Sequence, residues 1–308
     1  MGKANIRRTA GAGLPGQEVS ETSARRIERI LVAVDRDGAA EVLSKAVALA
    51  RLFHARLELF LCDAEHAYVQ QRQYEAARAA SARESCLAEA RRFLESLRRA
   101  AAVEGVSVAI DVACESPLYM GIVAKAKRSA PDLVVRGVSG GDGRRVSASD
   151  WDLARSCPAP LLLTRGRPWR ANPIIAAAVD LSADESPALT RDILCSAKLI
   201  AAAAHGTLEV LHAGRFCHAP DVLAAHRSML EQRAKEADVS PSQLHLVDGE
   251  PAVVLTEFAT ARRYDLIVLG ALSHRRTLTA VVGTLTGRLL ETIDGDFLLV
   301  KPVTGGNA

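Results

Sequence analysis

Ile30-Leu31-Val32-Ala33-Val34-Asp35 and Ile174-Ile175-Ala176-Ala177-Ala178-Val179-Asp180 are short apolar runs that each end on an aspartate. The two aspartates lie 180 − 35 = 145 residues apart. The echo continues downstream, where Asp132-Leu133-Val134-Val135-Arg136-Gly137 answers Asp265-Leu266-Ile267-Val268-Leu269-Gly270. These glycines are 270 − 137 = 133 residues apart, so the first copy carries a modest net insertion. A period of this size means two whole domains rather than the short units of a solenoid. The chain reads as an internal duplication.

Around those runs, each half alternates short apolar strands with amphipathic helices, the pattern of a parallel sheet covered by helices. Strands are predicted near 29–35, 56–62, 106–113, 132–137 and 160–164, then near 173–180, 207–213, 243–248, 265–270 and 296–301. Leu266-Ile267-Val268-Leu269 is apolar throughout, which suits a strand buried on both faces. A helix after the sixth strand starts at Ser186-Pro187, with Leu189, Ile193, Ala197 and Ile200 on one face. Its counterpart carries Leu43, Val47 and Ala50, and the longest helix, about 76–101, aligns Leu87, Ala90, Leu94 and Leu97. These stripes are core. Arg165-Gly166-Arg167-Pro168-Trp169-Arg170 marks a linker. The expected layout is a tail over 1–27 without fixed structure, a domain over 28–166 and a second over 171–304.

Composition narrows the function. A length of 308 residues, 49% apolar and 24% charged, fits two ordinary globular domains. A net charge of +3 gives no argument for nucleic acid or an anionic membrane. No apolar run approaches the roughly 20 residues that span a bilayer, and the N-terminus lacks the apolar stretch of a secretory signal. The six cysteines, at 62, 86, 114, 157, 195 and 217, show no close pairing and read as reduced thiols of a cytoplasmic protein.

In an open parallel sheet, ligands bind beyond the carboxyl ends of the strands, where the connections reverse. Asp180 and Gly270 end two such strands in the second half. Gly270-Ala271-Leu272-Ser273 is followed by nine residues (274 to 282) and then Gly283-Thr284 at a predicted helix start. Free N–H groups and a hydroxyl at a helix N-terminus seat phosphate, and a strand-end carboxylate accepts a hydrogen bond from a ribose hydroxyl or a base amine. The first half differs. Gly137-Val138-Ser139-Gly140 keeps two glycines, but Asp150-Trp151 stands where Gly-Ser/Thr would meet phosphate, and Arg136 replaces an apolar residue. Ser149 with Asp152 reads there as a helix cap.

This layout resembles the universal stress protein family, whose nucleotide-binding members carry Gly-x2-Gly-x9-Gly-(Ser/Thr) after strand four. The second half matches at Gly270, Gly283 and Thr284, while Ser273 replaces the second glycine. Ser149-Asp150-Trp151-Asp152, leading to Cys157-Pro158, is similar to the first domain of the tandem E-type members, and the likeness spans about residues 28–303. The resemblance implies two tandem open parallel-sheet domains (Rossmann-like, adenine nucleotide alpha hydrolase-like) forming a pseudo-dimer. Leu161-Leu162-Leu163 would lie beside Leu298-Leu299-Val300, with homodimerisation left open. It further implies ATP, with Mg, or a related nucleotide in the second domain. Asp180 would face the nucleoside, Ala213 the base and Gly270 its flank, while Ser273, Gly283 and Thr284 would lie along the phosphates.

Other chemistry finds little support. No GxxxxGK[ST] loop occurs. His212, Cys217 and His218 are zinc-binding types without a finger spacing, and His212 reads as a satisfied histidine at a pocket edge. Glu115 and Glu250 read as acids of helix N-terminal turns. The expected function is stress sensing or protection through a bound nucleotide. The alternatives are a slow ATP hydrolase, with His274 and Thr284 as the nearby candidates, and a nucleotide-independent scaffold for a protein or an apolar small molecule.

Overall fold

The computed structural model describes residues 26–63, 76–138, 146–182, 185–216, 219–240, 244–271 and 284–301, the side chains of 76–79 and 284–285 excepted. Residues 1–25 of the expected tail, with Cys217, His218, Ser273, His274 and Gly283, lie outside the described residues.

The first half runs β1 (Arg29–Ala33), α1 (Ala39–Phe53), β2 (Arg56–Cys62), α2 (Ala76–Val103), β3 (Val108–Ala113), α3 (Leu118–Ser129), β4 (Leu133–Gly137), α4 (Ala148–Ser156) and β5 (Leu161–Thr164). The second repeats the order with β6 (Ile174–Ala178), α5 (Pro187–Ala203), β7 (Thr207–Gly214), α6 (Pro220–Glu236), β8 (Leu244–Asp248), α7 (Pro251–Arg262), β9 (Leu266–Gly270), α8 (Thr284–Thr292) and β10 (Asp296–Val300). Each predicted strand position holds a strand.

The strands form one ten-stranded sheet in the order β3-β2-β1-β4-β5-β10-β9-β6-β7-β8. Neighbours are parallel except at the centre, where β5 and β10 run antiparallel. The second half therefore mirrors the first about that central pair, as a two-fold would, and the pseudo-dimer lies within one chain. The register is Leu161↔Leu299, Leu162↔Leu298 and Leu163↔Phe297. Phe297 thus takes the place expected for Val300, because uniformly apolar strands carry no alternation that fixes register. All six of these side chains are 2% exposed or less, and each buried side chain of this kind contributes about 1.5–3 kcal/mol relative to exposure. Separating the halves would uncover them.

Alternate residues of each strand feed opposite cores. Ile30 and Val32 pack with Leu43 of α1, Leu94 of α2, Leu189 of α5 and Leu230 of α6 in one cluster. Leu31 and Ala33 join Ile122 of α3, Leu153 of α4, Leu255 of α7 and Leu290 of α8 in the other. Helices therefore cover both faces, which explains why the strands are apolar throughout. The echoed aspartates have a structural role too. Asp132 Oδ2 accepts from the backbone N–H groups of Glu28 and Arg29, each at 2.9 Å, and Asp265 Oδ2 accepts from that of Ile174 at 2.8 Å. Each pins the start of its half's first strand.

The cap of α4 corrects the sequence reading. Ser147, not Ser149, is the N-cap, in a capping box with Asp150 rather than Asp152. Ser-x-x-Asp occurs twice here in overlap, and the earlier copy prevails because Asp150 is also held by a buried cation described below. Ser147→Ala should cost about 1 kcal/mol, read as a lowered midpoint in urea. An unchanged midpoint would show the cap to be dispensable.

Candidate functional site

The chain builds outward from the first strand of each half and then reverses, so the switch points lie between β1 and β4 and between β6 and β9. In the second half the ladder runs one residue past β6, with Val179 N–H donating to Leu211 O at 2.9 Å. Asp180 follows directly, exposed, its Oδ1 accepting from Ser182 N–H at 2.9 Å. Gly270 closes β9 beside it, and Ala213 lies near the end of β7, next to β6. Thr284 is the first residue of α8. Asp180, Ala213, Gly270 and Thr284 thus hold the places at strand ends and a helix start that the sequence assigned to them.

Packing accounts for Gly270. A Cβ there would stand 3.0 Å from Leu189 Cδ2 of α5, and one on Gly137 would stand 2.5 Å from Val42 Cγ2 of α1. Each glycine lets a helix approach its strand end closely.

The neighbouring wall is built of rings. His212 is 3% exposed, with Nδ1 3.1 Å from Val179 O and Nε2 3.0 Å from His226 Nδ1 on α6. A carbonyl can only accept, so Nδ1 of His212 carries the proton and Nε2 is left to receive one from His226. The two rings stack at 5.1 Å and Phe216 meets His226 edge-on at 5.1 Å. Burial lowers the pKa of His212, with the Val179 contact opposing it and the neighbouring His226 adding to the fall. His212 is thus a satisfied histidine, as read from the sequence, but its partner is fourteen residues away on a helix. Among the described residues no group of three or more side chains could hold a metal ion.

The same place in the first half is filled by the protein's own charges. Arg136, 2% exposed, sends Nη2 to within 2.6 Å of Asp35 Oδ2 and Nε to within 3.1 Å of Asp150 Oδ1. Asp150 is 1% exposed and also accepts from Ser147 Oγ at 2.7 Å. Burial opposes the charge of Arg136, yet the two carboxylates raise its pKa above the usual value, Asp35 more than Asp150. The strand-one aspartate, the departure on β4 and the departure at the helix start are three parts of one ion triad. It bridges β1, β4 and α4.

A model of the universal stress protein family matches residues 26–165 and again 173–301. The chain belongs to the universal stress protein family. Universal stress protein E of Escherichia coli K12 is 21% identical over 220 residues, 64% of this chain and 69% of that protein. The structure of a functionally unknown protein, PA1789 of Pseudomonas aeruginosa PAO1, superposes with a TM-score of 0.71 at 25% identity, covering 91% of this chain and 94% of that one. A putative universal stress protein from Pseudomonas aeruginosa UCBPP-PA14 gives a TM-score of 0.70 at 25% identity, over 91% and 95%.

Within this universal stress protein, three features at or near the strand ends escaped sequence reading. His226 is one. A second is a thiol cluster in the first half, where Cys62, Cys86 and Cys114 are all buried at the carboxyl ends of β2 and β3. The third is the joint between the halves. Asp296, 2% exposed, accepts from Thr164 Oγ1 (2.9 Å), Arg165 N–H (3.0 Å) and Trp169 Nε1 (2.8 Å), with Lys45 Nζ at 2.8 Å. Lys45 in turn lies 4.6 Å over the Trp169 ring. Lys301 donates to Arg155 O and Cys157 O, each at 2.7 Å, so the second half also caps the end of α4. A cavity of about 420 Å³ between the halves, bounded by Leu133, Pro160 and Leu199, lies at the amino ends of β4 and β5, away from Asp180. No helix among the described residues is long and apolar enough to cross a membrane.

Proposed function

We propose that this universal stress protein is a cytoplasmic stress sensor or protective protein that holds ATP, or a related nucleotide, in its second domain. The reading takes 28–166 and 171–304 as the two domains, the first lacking a usable site. Asp180 hydrogen-bonds the nucleoside, Ala213 lines the base and Gly270 flanks it. Ser273, Gly283 and Thr284 meet the phosphates, with Mg as counterion. The observation that carries this reading is the placement of Asp180 and Gly270 at the ends of adjacent strands flanking the point where the chain reverses. Leu269, 4% exposed, stands where the first half has Arg136, so the residue at that place on β9 brings no guanidinium to the carboxylate.

Thermal unfolding with and without Mg-ATP tests it, in the wild type and in Gly283→Asp. At a hundredfold excess over its dissociation constant a ligand stabilises by about 2.7 kcal/mol. A shift confined to the wild type is expected; an equal shift in the variant would remove Gly283 from the site. One observation favours a second reading, a nucleotide-independent scaffold: contact with Leu189 by itself explains Gly270. No thermal response at saturating Mg-ATP, together with recovery of a bound protein, would put that reading first.

A further inference from the structure

The two sides of the joint between the halves occupy matching places in the pseudo-two-fold but are built differently. Lys45 on α1 lies nine residues before His54, and Ser196 on α5 lies nine residues before His205. Both histidines hold the same left-handed turn, at φ 53° and 49°. Pro160 precedes Leu161, which pairs with Val134, and Asp296 precedes Phe297, which pairs with Ile267. Val134 and Ile267 each lie three residues before the glycine that ends their strand (137 − 134 = 270 − 267 = 3). Ser196 and Pro160 are therefore the counterparts of Lys45 and Asp296. On one side Lys45 Nζ meets Asp296 at 2.8 Å, against the Trp169 ring. On the other, a hydroxymethyl group and a pyrrolidine ring take their places, and the described residues leave a cavity of about 420 Å³ lined by both.

That volume falls among those of small-molecule sites, about 300–1,000 Å³. The wall is largely apolar: Leu133, Ile200 and Leu298 are each 3% exposed or less, and Leu199 is half-buried. Arg26 and Lys127 also line it, both exposed and neither in an ion pair with a described residue. Arg26, Ile27 and Leu199 continue into an adjoining cavity of about 720 Å³, which adds Arg29 and Arg56. The joined cleft therefore carries four cations against two carboxylates, Glu28 and Asp132. Arg29 is engaged, donating to Ser129 O at 2.9 Å, and Asp132 already accepts from the N–H groups of Glu28 and Arg29. What remains is positive charge beside an apolar wall.

We propose that this cleft binds an amphipathic monoanion, an aliphatic or aromatic carboxylate of medium length. Its hydrocarbon body fills the cavity against Leu199 and Leu298, and its carboxylate meets Arg26 and Lys127. Burial of the body drives binding in proportion to its apolar area. The guanidinium and the ammonium donate charge-assisted hydrogen bonds to the head, which fixes its orientation. A neutral hydrocarbon would forgo those bonds, and a free phosphate would gain nothing from the leucines. The cleft lies at the amino ends of the strands, opposite Asp180, so it stands apart from the nucleotide reading. One ligand there would touch α3 of the first half together with α5 and β10 of the second.

The test titrates the full chain with anilinonaphthalene sulfonate, a fluorescent apolar body with one anionic group, and then displaces the dye with laurate. Saturable binding is expected, with laurate displacing the dye about tenfold better than dodecanol, which has the same tail without the charge. Leu199→Trp, which fills the cavity, should weaken laurate binding about tenfold. Arg26→Ala/Lys127→Ala changes two exposed positions, so the fold is not at stake. That double variant should bring laurate down to the affinity of dodecanol and leave dodecanol unchanged. A wild type that does not bind laurate saturably would overturn the proposal. So would equal affinity for laurate and dodecanol, or binding indifferent to all three substitutions. A dye signal that falls as chains associate in sedimentation would assign the cleft to a second copy and overturn it as well.

Discussion

Arg136→Leu should destabilise the protein by about 3–5 kcal/mol, the usual cost of removing one partner from a buried ion pair. The reason is what stays behind. Asp150, 1% exposed, keeps its bonds to Ser147 but loses its cation, while Asp35, 29% exposed at its side chain, recovers water more easily. Burying a charge without a partner costs far more than a pair in place returns, so the double variant Arg136→Leu/Asp150→Asn should recover most of the loss. Chemical denaturation of the two variants separates charge from packing. Equal destabilisation of single and double variants would show that the arginine acts through its volume rather than its charge.

Asp296→Ala should cost a similar amount, about 3–5 kcal/mol, because it orphans Lys45, whose side chain is 3% exposed. It also leaves Trp169 Nε1, Thr164 Oγ1 and the Arg165 N–H without their acceptor. These groups belong to α1, the end of β5 and the linker, so the loss falls on the joint between the halves. Adding Lys45→Met should restore part of the stability, since the uncompensated ammonium goes and its volume remains. A change below about 1 kcal/mol in the single variant would mean that water replaces the carboxylate without penalty.

Where the sequence was legible, local physics suffices. Leu266-Ile267-Val268-Leu269 and its counterparts announce buried parallel strands, and Pro187 at the first turn of α5 marks a helix start. Ser186 sits at that N-cap, although its side chain makes no capping bond. Relations between distant residues were harder to read. Arg136, Asp35 and Asp150 each stood out singly, yet only the convergence of β1, β4 and α4 makes them one unit. The thiols at 62, 86 and 114 and the His212–His226 pair carry no local pattern at all. The β5–β10 register slipped by one position for want of alternation, and the α4 cap by two because its motif overlaps itself. In the second half's site, Asp180, Ala213 and Gly270 could be placed by counting strands, whereas Ser273 and Gly283 lie outside the described residues.

Fusing two copies across an antiparallel strand pair frees the molecule from the symmetry of its own assembly. A homodimer of identical chains must accept every substitution twice, once in each mouth. Here Arg136 and Leu269 occupy matching places on β4 and β9 of a single polypeptide, so an ion triad stands at one strand end and an apolar side chain at the other. Either half can drift in chemistry without dragging the other along, provided the leucines of the central seam stay in place. Duplication has thus let this protein be two-fold in shape and one-sided in composition.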